Sequence, residues 1–155
     1  MPVTLSTRQI RSMSPDRRTT RWSTRALPAL SAGPHCRLLV VEDYRPGAEA
    51  LAASLSLAGY ETQFMLDGPA ALTVAPAWKP DVIVLDINMP GMDGYEVARL
   101  LRMGVITQGV LIVAFTALDQ QAVSLPGIAA GFDAYCQKGA APEPLINLLQ
   151  SIGHA

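Results

Sequence analysis

The sequence predicts an α/β fold with a doubly wound, five-stranded parallel sheet. Between residues 37 and 152, short apolar runs alternate five times with stretches of helical spacing. Two of these runs, residues 81–85 (DVIVL) and 110–115 (VLIVAF), are almost continuously apolar, which is typical of parallel strands buried on both faces. Half of the 155 residues are hydrophobic, so a core for one domain is available. Regular strand–helix alternation favours parallel units wound on both faces of one sheet.

The first half of the pattern holds two predicted strands and two predicted helices. Residues 37–42 (RLLVVE) have strand length and end in an acid, and residues 46–57 have helical spacing with a proline at their start. Gly59 stands just past that helix, where a terminating glycine is common. Residues 60–65 (YETQFM) alternate between polar and apolar side chains, which predicts a strand nearer the edge. A short helix is predicted over residues 69–75.

An amphipathic helix is predicted over residues 94–103, after the buried strand 81–85. Asp93 stands at its expected N-cap, and Glu96 follows three residues later. This pair matches the capping box that satisfies free amides at a helix start.

The second half of the pattern follows the apolar strand 110–115. Residues 119–130 are a weak helix candidate, because Pro126 and Gly127 are expected to interrupt it. Residues 132–136 (FDAYC) predict a short strand, and residues 143–152 predict the final helix.

Residues 1–35 differ in composition from the rest of the chain. They are rich in Ser, Thr, Arg and Pro and contain six arginines against the single acid Asp16. From residue 36 onward there are six basic and twelve acidic residues. We predict a disordered basic N-terminal arm over 1–35 and a folded domain over 36–153. A solvated tail, or a later start at Met13, is favoured over nucleic-acid or membrane binding by the arm.

The cysteines and the hydropathy pattern bear on location. Cys36 begins the first predicted strand and Cys136 ends the fifth, so a parallel sheet would separate them by roughly 20 Å and prevent a disulfide. Two apolar cysteines suit a reducing setting, and no apolar run approaches the ~18–20 residues of a membrane span. We expect a cytoplasmic protein that binds neither membrane nor nucleic acid.

Polar residues follow four of the predicted strands. Glu42 and Asp43 come at the end of the first strand, Asp86 after the third, Thr116 after the fourth and Lys138 after the fifth. Ligands of open parallel sheets bind outside the carboxyl ends of the strands. These five side chains are therefore expected to converge on one edge of the sheet.

This set of groups predicts magnesium-dependent phosphoryl chemistry. Three clustered carboxylates repel one another, and Mg²⁺ accepts such ligands while bridging to phosphate oxygens. Asp86, the lone acid after the central strand, is the candidate nucleophile. Lys138 would neutralise a phosphoryl oxygen, and the Thr116 hydroxyl would donate to another.

Several separated motifs resemble the receiver domain of bacterial two-component response regulators. They are VVED (40–43), VLDINMPGMDGYE (84–96), FTA (115–117) and Lys138. Their spacing is similar too, with 43 residues from Asp43 to Asp86, 30 to Thr116 and 22 to Lys138. The resemblance covers about residues 36–153 and implies the flavodoxin-like (βα)5 receiver fold.

The resemblance implies a role for each matching acid. Asp86 would be the phosphoacceptor, supplied by a histidine kinase or a histidine phosphotransfer protein. Asp43 would bind Mg²⁺ directly and Glu42 largely through water. Asp86 itself and the backbone carbonyl of Asn88 would complete the metal site.

It also implies a switch and an output surface. Thr116 and Lys138 would contact the phosphoryl group, and Tyr135 would swing inward as Thr116 moves. A downstream protein would bind the face made by the fourth and fifth helices and the fifth strand. The chain departs from the family in having Gly139 where proline usually follows the lysine.

The predicted function is that of a single-domain response regulator, a phosphoprotein in two-component phosphorelay signal transduction. It would be a monomer or weak dimer and would catalyse only its own phosphorylation and dephosphorylation. One alternative is a receiver-like adaptor that docks a kinase without being phosphorylated. Another is a phosphatase with an aspartyl intermediate, although Asn88 stands where such enzymes usually carry a second acid.

Overall fold

The computed structural model describes residues 18–28, 30 and 35–153. These residues form one six-stranded sheet in the order β1-β6-β5-β4-β2-β3. The strands are β1 (Thr19–Arg21), β2 (Arg37–Val41), β3 (Glu61–Met65), β4 (Val82–Leu85), β5 (Leu111–Thr116) and β6 (Ala134–Gln137). The helices are α1 (Arg45–Leu57), α2 (Gly68–Trp78), α3 (Gly94–Met103), α4 (Gln120–Ala130) and α5 (Glu143–Gly153).

The five predicted strands form the parallel part of the sheet, which confirms the predicted fold class. Strands β2 to β6 pair in parallel, with β4 and β5 central and β3 at one edge. All four residues of β4 are buried, whereas β3 alternates between exposed and half-buried residues. This difference reproduces the contrast between apolar and alternating runs in the sequence.

Helices cover both faces of the sheet. On one face, Leu39, Ile83 and Ile112 pack with buried residues of α2, α3 and α4. On the other face, the neighbouring residues Leu38, Val82 and Leu111 pack with buried residues of α1 and α5. Because successive strand residues point to opposite faces, both core layers come from the same short strands.

Helix α4 is continuous, so the prediction that Pro126 and Gly127 interrupt it was wrong. The helix begins after Asp119, whose carboxylate accepts a hydrogen bond from the Ala122 amide at 3.0 Å. Val123 and Ala130 are buried on either side of the proline. A proline removes one helical hydrogen bond, and packing of both ends on the sheet offsets that loss. Helix α2 likewise runs through Pro76.

A sixth strand comes from the N-terminal region. Residues Thr19–Arg21 pair antiparallel with β6, and the amides of Trp22 and Ser23 donate to the Asp133 carbonyl at 2.7 and 2.9 Å. The prediction of a disordered arm is therefore wrong for residues 18–28. The rest of that predicted arm, apart from residues 30 and 35, lies outside the described residues. The three polar residues of β1 show no apolar period, so the sequence offered little sign of this strand.

Buried Asp133 binds the N-terminal region to the domain. Its side chain is 1% exposed and accepts from Arg25 Nε at 2.7 Å, Arg102 Nη2 at 2.8 Å and the Ile112 amide at 3.0 Å. Burial by itself would raise the pKa of Asp133, but the hydrogen bond from Arg25, the Ile112 amide and the charge of Arg102 hold that pKa below its ordinary value. Asp133 is thus a buried anion that two guanidinium groups keep ionised.

The sequence predicted that the two cysteines form no disulfide and that no segment spans a membrane. Cys36 and Cys136 are both buried and are not joined by a disulfide bond. None of the helices in the described part of the chain has the length and apolar character required to cross a bilayer.

Replacing Asp133→Asn should lower the free energy of unfolding by about 3 kcal/mol, because Arg25 and Arg102 would lose their buried counter-charge. Since the folded-state pKa of Asp133 is lowered, its contribution is fully present above the ordinary carboxyl pKa of about 3.9 and is lost as the pH falls through the folded-state pKa. Urea unfolding at pH 7 and in the acid range measures both effects.

Glu61→Gln is a matched control for the loss of one carboxylate. Glu61 pairs with Arg37 at 3.4 Å, and both side chains are more than 40% exposed. Exposed ion pairs contribute only about 0–1 kcal/mol. Equal destabilisation by the two variants would contradict the importance of Asp133.

Candidate functional site

The carboxyl ends of β2 and β4 bring acidic residues together. Val41 and Leu85 are register partners in these adjacent strands, and the Asp86 amide donates to the Val41 carbonyl at 3.0 Å. Glu42 and Asp86 each follow the last residue of their strand. Strand pairing therefore places the two carboxylates at the same edge of the sheet.

Glu42, Asp43 and Asp86 form an acidic cluster. One carboxylate oxygen from each residue lies within 4.8 Å of the others. Glu42 and Asp86 are buried, at 8% and 6% exposure, while Asp43 is exposed. Closely spaced carboxylates are costly in such partly buried surroundings unless cations balance them. Three oxygen donors at this separation suit a hard divalent cation such as Mg²⁺.

Lys138 provides one balancing charge. Its ammonium donates to Asp86 Oδ2 at 3.0 Å and also to Glu42 Oε2. Burial by itself would lower the pKa of Lys138, but the hydrogen bond to Glu42 and the charge of Asp86 outweigh burial and raise that pKa. The Lys138 amide donates to the Thr116 carbonyl at 2.8 Å, which holds the lysine at the end of β6. Lys138 therefore reaches the acidic cluster even though the residue after it is Gly139 and not proline.

Thr116 and Asn88 lie on the same edge of the sheet as the acids. Thr116 is the last residue of β5 and is buried. Its hydroxyl oxygen accepts a hydrogen bond from the Leu118 amide at 3.3 Å. Asn88 is exposed in the loop that follows Asp86. Their roles toward a phosphoryl group and a metal remain predictions.

Tyr135 is already fully buried. Its hydroxyl donates to the Leu118 carbonyl at 2.7 Å, and its ring stacks on Trp22 with centroids 5.3 Å apart. An inward swing of Tyr135 was predicted, and the structure shows only this buried position. The switch role therefore remains a prediction, and the cover provided by Trp22 was not anticipated.

Tyr44 and Gly94 help to position the acids, and the sequence interpretation had given neither of them a role. The Tyr44 amide donates to Glu42 Oε1 at 3.2 Å and so helps to orient that carboxylate. Gly94 opens α3, and its amide donates to the Ile87 carbonyl at 2.8 Å. A Cβ at Gly94 would lie 2.2 Å from the Asp86 carbonyl oxygen, so only glycine allows α3 to approach the loop this closely. The Asp-Gly pair at the helix start was the available signal.

A cavity of about 310 Å³ adjoins the acidic cluster. Glu42 and Lys138 line it on one side, and α1 and the loop before α5 contribute Leu51 and Pro142. Phe115 also borders it, with the Lys138 ammonium 5.8 Å from the ring centroid. Of the three acids in the cluster, Glu42 is the one that lines this cavity.

Comparisons with a family model and with known sequences identify the same family. The model of the response regulator receiver domain matches residues 38–150. The response regulator PleD of Caulobacter vibrioides is 38% identical over 102 residues, which cover 66% of this chain and 22% of PleD. MprA of Mycolicibacterium vanbaalenii is 38% identical over 116 residues, which cover 75% of this chain and 49% of MprA. The chain thus spans half or less of these relatives' length.

Solved structures show the same fold over most of the chain. The chemotaxis protein CheY4 of Vibrio cholerae superposes with a TM-score of 0.72 at 31% identity, covering 76% of this chain and 98% of CheY4. The DrrB receiver domain activated by BeF3 superposes with a TM-score of 0.67 at 25% identity, covering 77% of this chain and 98% of that domain. With the family model matching most of the sequence, this chain belongs to the response regulator receiver domain family.

Proposed function

We propose that Asp86 accepts a phosphoryl group from the phosphohistidine of a histidine kinase or a histidine phosphotransfer protein. The observation that carries this proposal is the position of the Asp86 carboxylate, 3.0 Å from the Lys138 ammonium and clustered with Glu42 and Asp43. Membership of the receiver family supports both the reaction and the kind of donor. The protein would signal through its phosphorylated form and would catalyse only its own phosphorylation and dephosphorylation.

Asp86 suits the role of nucleophile better than the other two acids. Glu42 accepts hydrogen bonds at both of its oxygens, from the Tyr44 amide and from Lys138. Asp43 is exposed to water. An oxygen of Asp86 would attack phosphorus while the bond to the histidine nitrogen breaks. The electron pair of the broken bond would stay on that nitrogen, which takes up a proton from water, so the products would be an acyl phosphate on Asp86 and a neutral imidazole on the donor.

The acidic cluster fits a magnesium ion. Its three carboxylates carry more negative charge than Lys138 can neutralise, and their oxygens lie within 4.8 Å of one another. Asp43, Glu42 and Asp86 would hold the ion, together with the backbone carbonyl of Asn88. Bound Mg²⁺ would neutralise charge on the phosphoryl oxygens.

Lys138 and Thr116 would bind the transferred group. The Lys138 ammonium already contacts Asp86 and would turn to a phosphoryl oxygen with little movement. The Thr116 hydroxyl, which now accepts from the Leu118 amide, would donate a hydrogen bond to another phosphoryl oxygen. Movement of Thr116 would alter the loop that follows it and the hydrogen bond from Tyr135 to the Leu118 carbonyl in that loop.

The output surface in this proposal is the face made by α4, β6 and α5, where a downstream protein would bind. Residues 18–28 cover part of that face along β6. The single-domain arrangement, the monomeric or weakly dimeric state and the cytoplasmic location remain predictions.

Asp86→Asn should abolish acid-labile phosphate uptake from acetyl phosphate or phosphoramidate in the presence of Mg²⁺, because the amide is a poor nucleophile. Radiolabelled or mass-spectrometric phosphate stoichiometry measures the effect. Asp67→Asn is a matched control, because Asp67 caps α2 through the Ala70 amide and asparagine caps equally well. Labelling of Asp86→Asn at the wild-type level would refute the assignment.

Lys138→Met should affect the anion and the metal in opposite directions. Affinity for beryllofluoride, a phosphoryl mimic, should fall at least about tenfold, which corresponds to the loss of one hydrogen bond to a charged group. Affinity for Mg²⁺ alone should rise, because a competing positive charge leaves the acidic cluster. Fluorine NMR and metal titration measure the two affinities.

The control for this variant is Lys79→Met, which removes an exposed lysine at the end of α2. It should leave both affinities unchanged. Weaker Mg²⁺ binding by Lys138→Met, or undiminished beryllofluoride binding, would contradict the role given to Lys138.

A further inference from the structure

Residues 18–28, here called the strap, cover the outer edge of β6. Thr19, Thr20 and Arg21 are paired with Cys136, Tyr135 and Ala134, respectively. The open edge of a sheet presents unpaired backbone groups that another extended segment can bind. In this chain the strap is the segment that occupies that position.

Trp22 fills a slot between β6 and α4. Its ring stacks on Tyr135 at 5.3 Å and meets Phe132 edge-on at 6.3 Å. A Cβ at Gly127 would lie 2.4 Å from Trp22 Cζ3, so the missing side chain at Gly127 is what admits the indole. Gly127 therefore weakens α4 by its helix propensity but creates the seat for Trp22.

The strap also contacts the start of α4 and the end of β6. The Thr20 hydroxyl donates to Gln120 Oε1 at 2.7 Å, and the Gln137 amide donates to the Arg18 carbonyl at 2.7 Å. Gln137 immediately precedes Lys138, whose ammonium contacts Asp86. The strap thus touches the strand that leads to Lys138 and the helix that follows the loop after Thr116.

Docking of the strap carries an opposing cost. Among the described residues, the buried indole nitrogen of Trp22 has no hydrogen-bond acceptor. A buried unpaired donor loses its hydration without compensation. The strand itself has only three residues. These two features oppose docking, whereas the Arg25–Asp133 ion pair and the Trp22 and Ser23 amides bound to the Asp133 carbonyl favour it.

We propose that the strap is an intramolecular ligand that closes the surface formed by β6 and α4, and that filling the pocket at Asp86 with a phosphoryl group weakens its docking. The second half rests on the proposed function. A partner that adds an extended, aromatic-bearing segment to β6 then competes with the strap, and phosphorylation favours the partner.

The contacts supply the direction of this coupling. The Leu118 amide donates to the Thr116 hydroxyl, and the Leu118 carbonyl accepts from Tyr135. When Thr116 turns to a phosphoryl oxygen, Leu118 loses one partner and the loop leading to Gln120 shifts. That shift disturbs the Tyr135 ring beneath Trp22. It also disturbs the Gln120 side chain, which accepts the hydrogen bond from the Thr20 hydroxyl. Because coupling is reciprocal, a loosened strap raises the affinity of Asp86 for the phosphoryl mimic.

Hydrogen–deuterium exchange of the full chain tests the proposal with Mg²⁺ alone and with Mg²⁺ plus beryllofluoride. In the wild type, beryllofluoride should raise the exchange rate of the strap amides at least about fivefold, the lower end of typical allosteric coupling. In Asp86→Asn it should have no effect. Unchanged exchange in the wild type, with beryllofluoride shown by fluorine NMR to be bound, overturns the proposal alone. Absence of beryllofluoride binding to the wild type overturns the proposed function and the coupling with it.

Gly127→Ala tests the slot directly. The added methyl excludes Trp22, while alanine strengthens α4 by propensity, so global unfolding is not expected to explain the result. Strap exchange should rise without beryllofluoride, and beryllofluoride affinity should increase at least about fivefold. Gly109→Ala is the matched control, because a Cβ there meets nothing within 4 Å.

Thr20→Val provides a second route to the same result, since it removes the hydrogen bond to Gln120 and retains a β-branched residue in the strand. It should raise strap exchange and beryllofluoride affinity in the same direction as Gly127→Ala. Loosening of the strap by either variant without a gain in beryllofluoride affinity would overturn the coupling.

Discussion

The ammonium of Lys138 between the carboxylates of Glu42 and Asp86 is the interaction on which the site depends. Parallel pairing of β2 with β4 places the two acids side by side, where their charges repel one another. Lys138 arrives from β6, two strands away from β4 in the sheet order. One cation leaves the three-carboxylate cluster with excess negative charge, which supports the proposed binding of Mg²⁺ and of a phosphoryl group.

Strand β6 contributes to both the acidic cluster and the surface bound by the N-terminal segment. Its carboxyl end delivers Lys138 to the acidic cluster, and its outer edge pairs with residues Thr19–Arg21. Asp133, just before the strand, binds Arg25 and Arg102, so the N-terminal segment is held by charge as well as by backbone hydrogen bonds. A displacement of β6 would therefore affect both the position of Lys138 and the docked N-terminal segment.

Helix α4 illustrates how packing changes the meaning of a local signal. Pro126 and Gly127 disfavour a helix when only neighbours in sequence are considered. In the fold, Val123 and Ala130 anchor both halves on the sheet, and Gly127 provides the seat of Trp22. The contact with Gly127 also explains why Trp22 is buried, although it is an isolated aromatic residue in its own segment.

The sequence by itself determined the α/β fold, the five parallel strands and the residues that follow them, because hydrophobic periodicity and strand-end position are local properties. It also indicated which acids, hydroxyl and lysine share an edge, since parallel strands end on one side of a sheet. Only the tertiary structure decided that β1 joins β6, that Tyr135 lies buried under Trp22, and that Arg25 and Arg102 surround Asp133. These contacts join residues that are between 31 (Arg102 and Asp133) and 117 (Thr19 and Cys136) positions apart. Their free energy arises from shape and charge complementarity that no local pattern encodes.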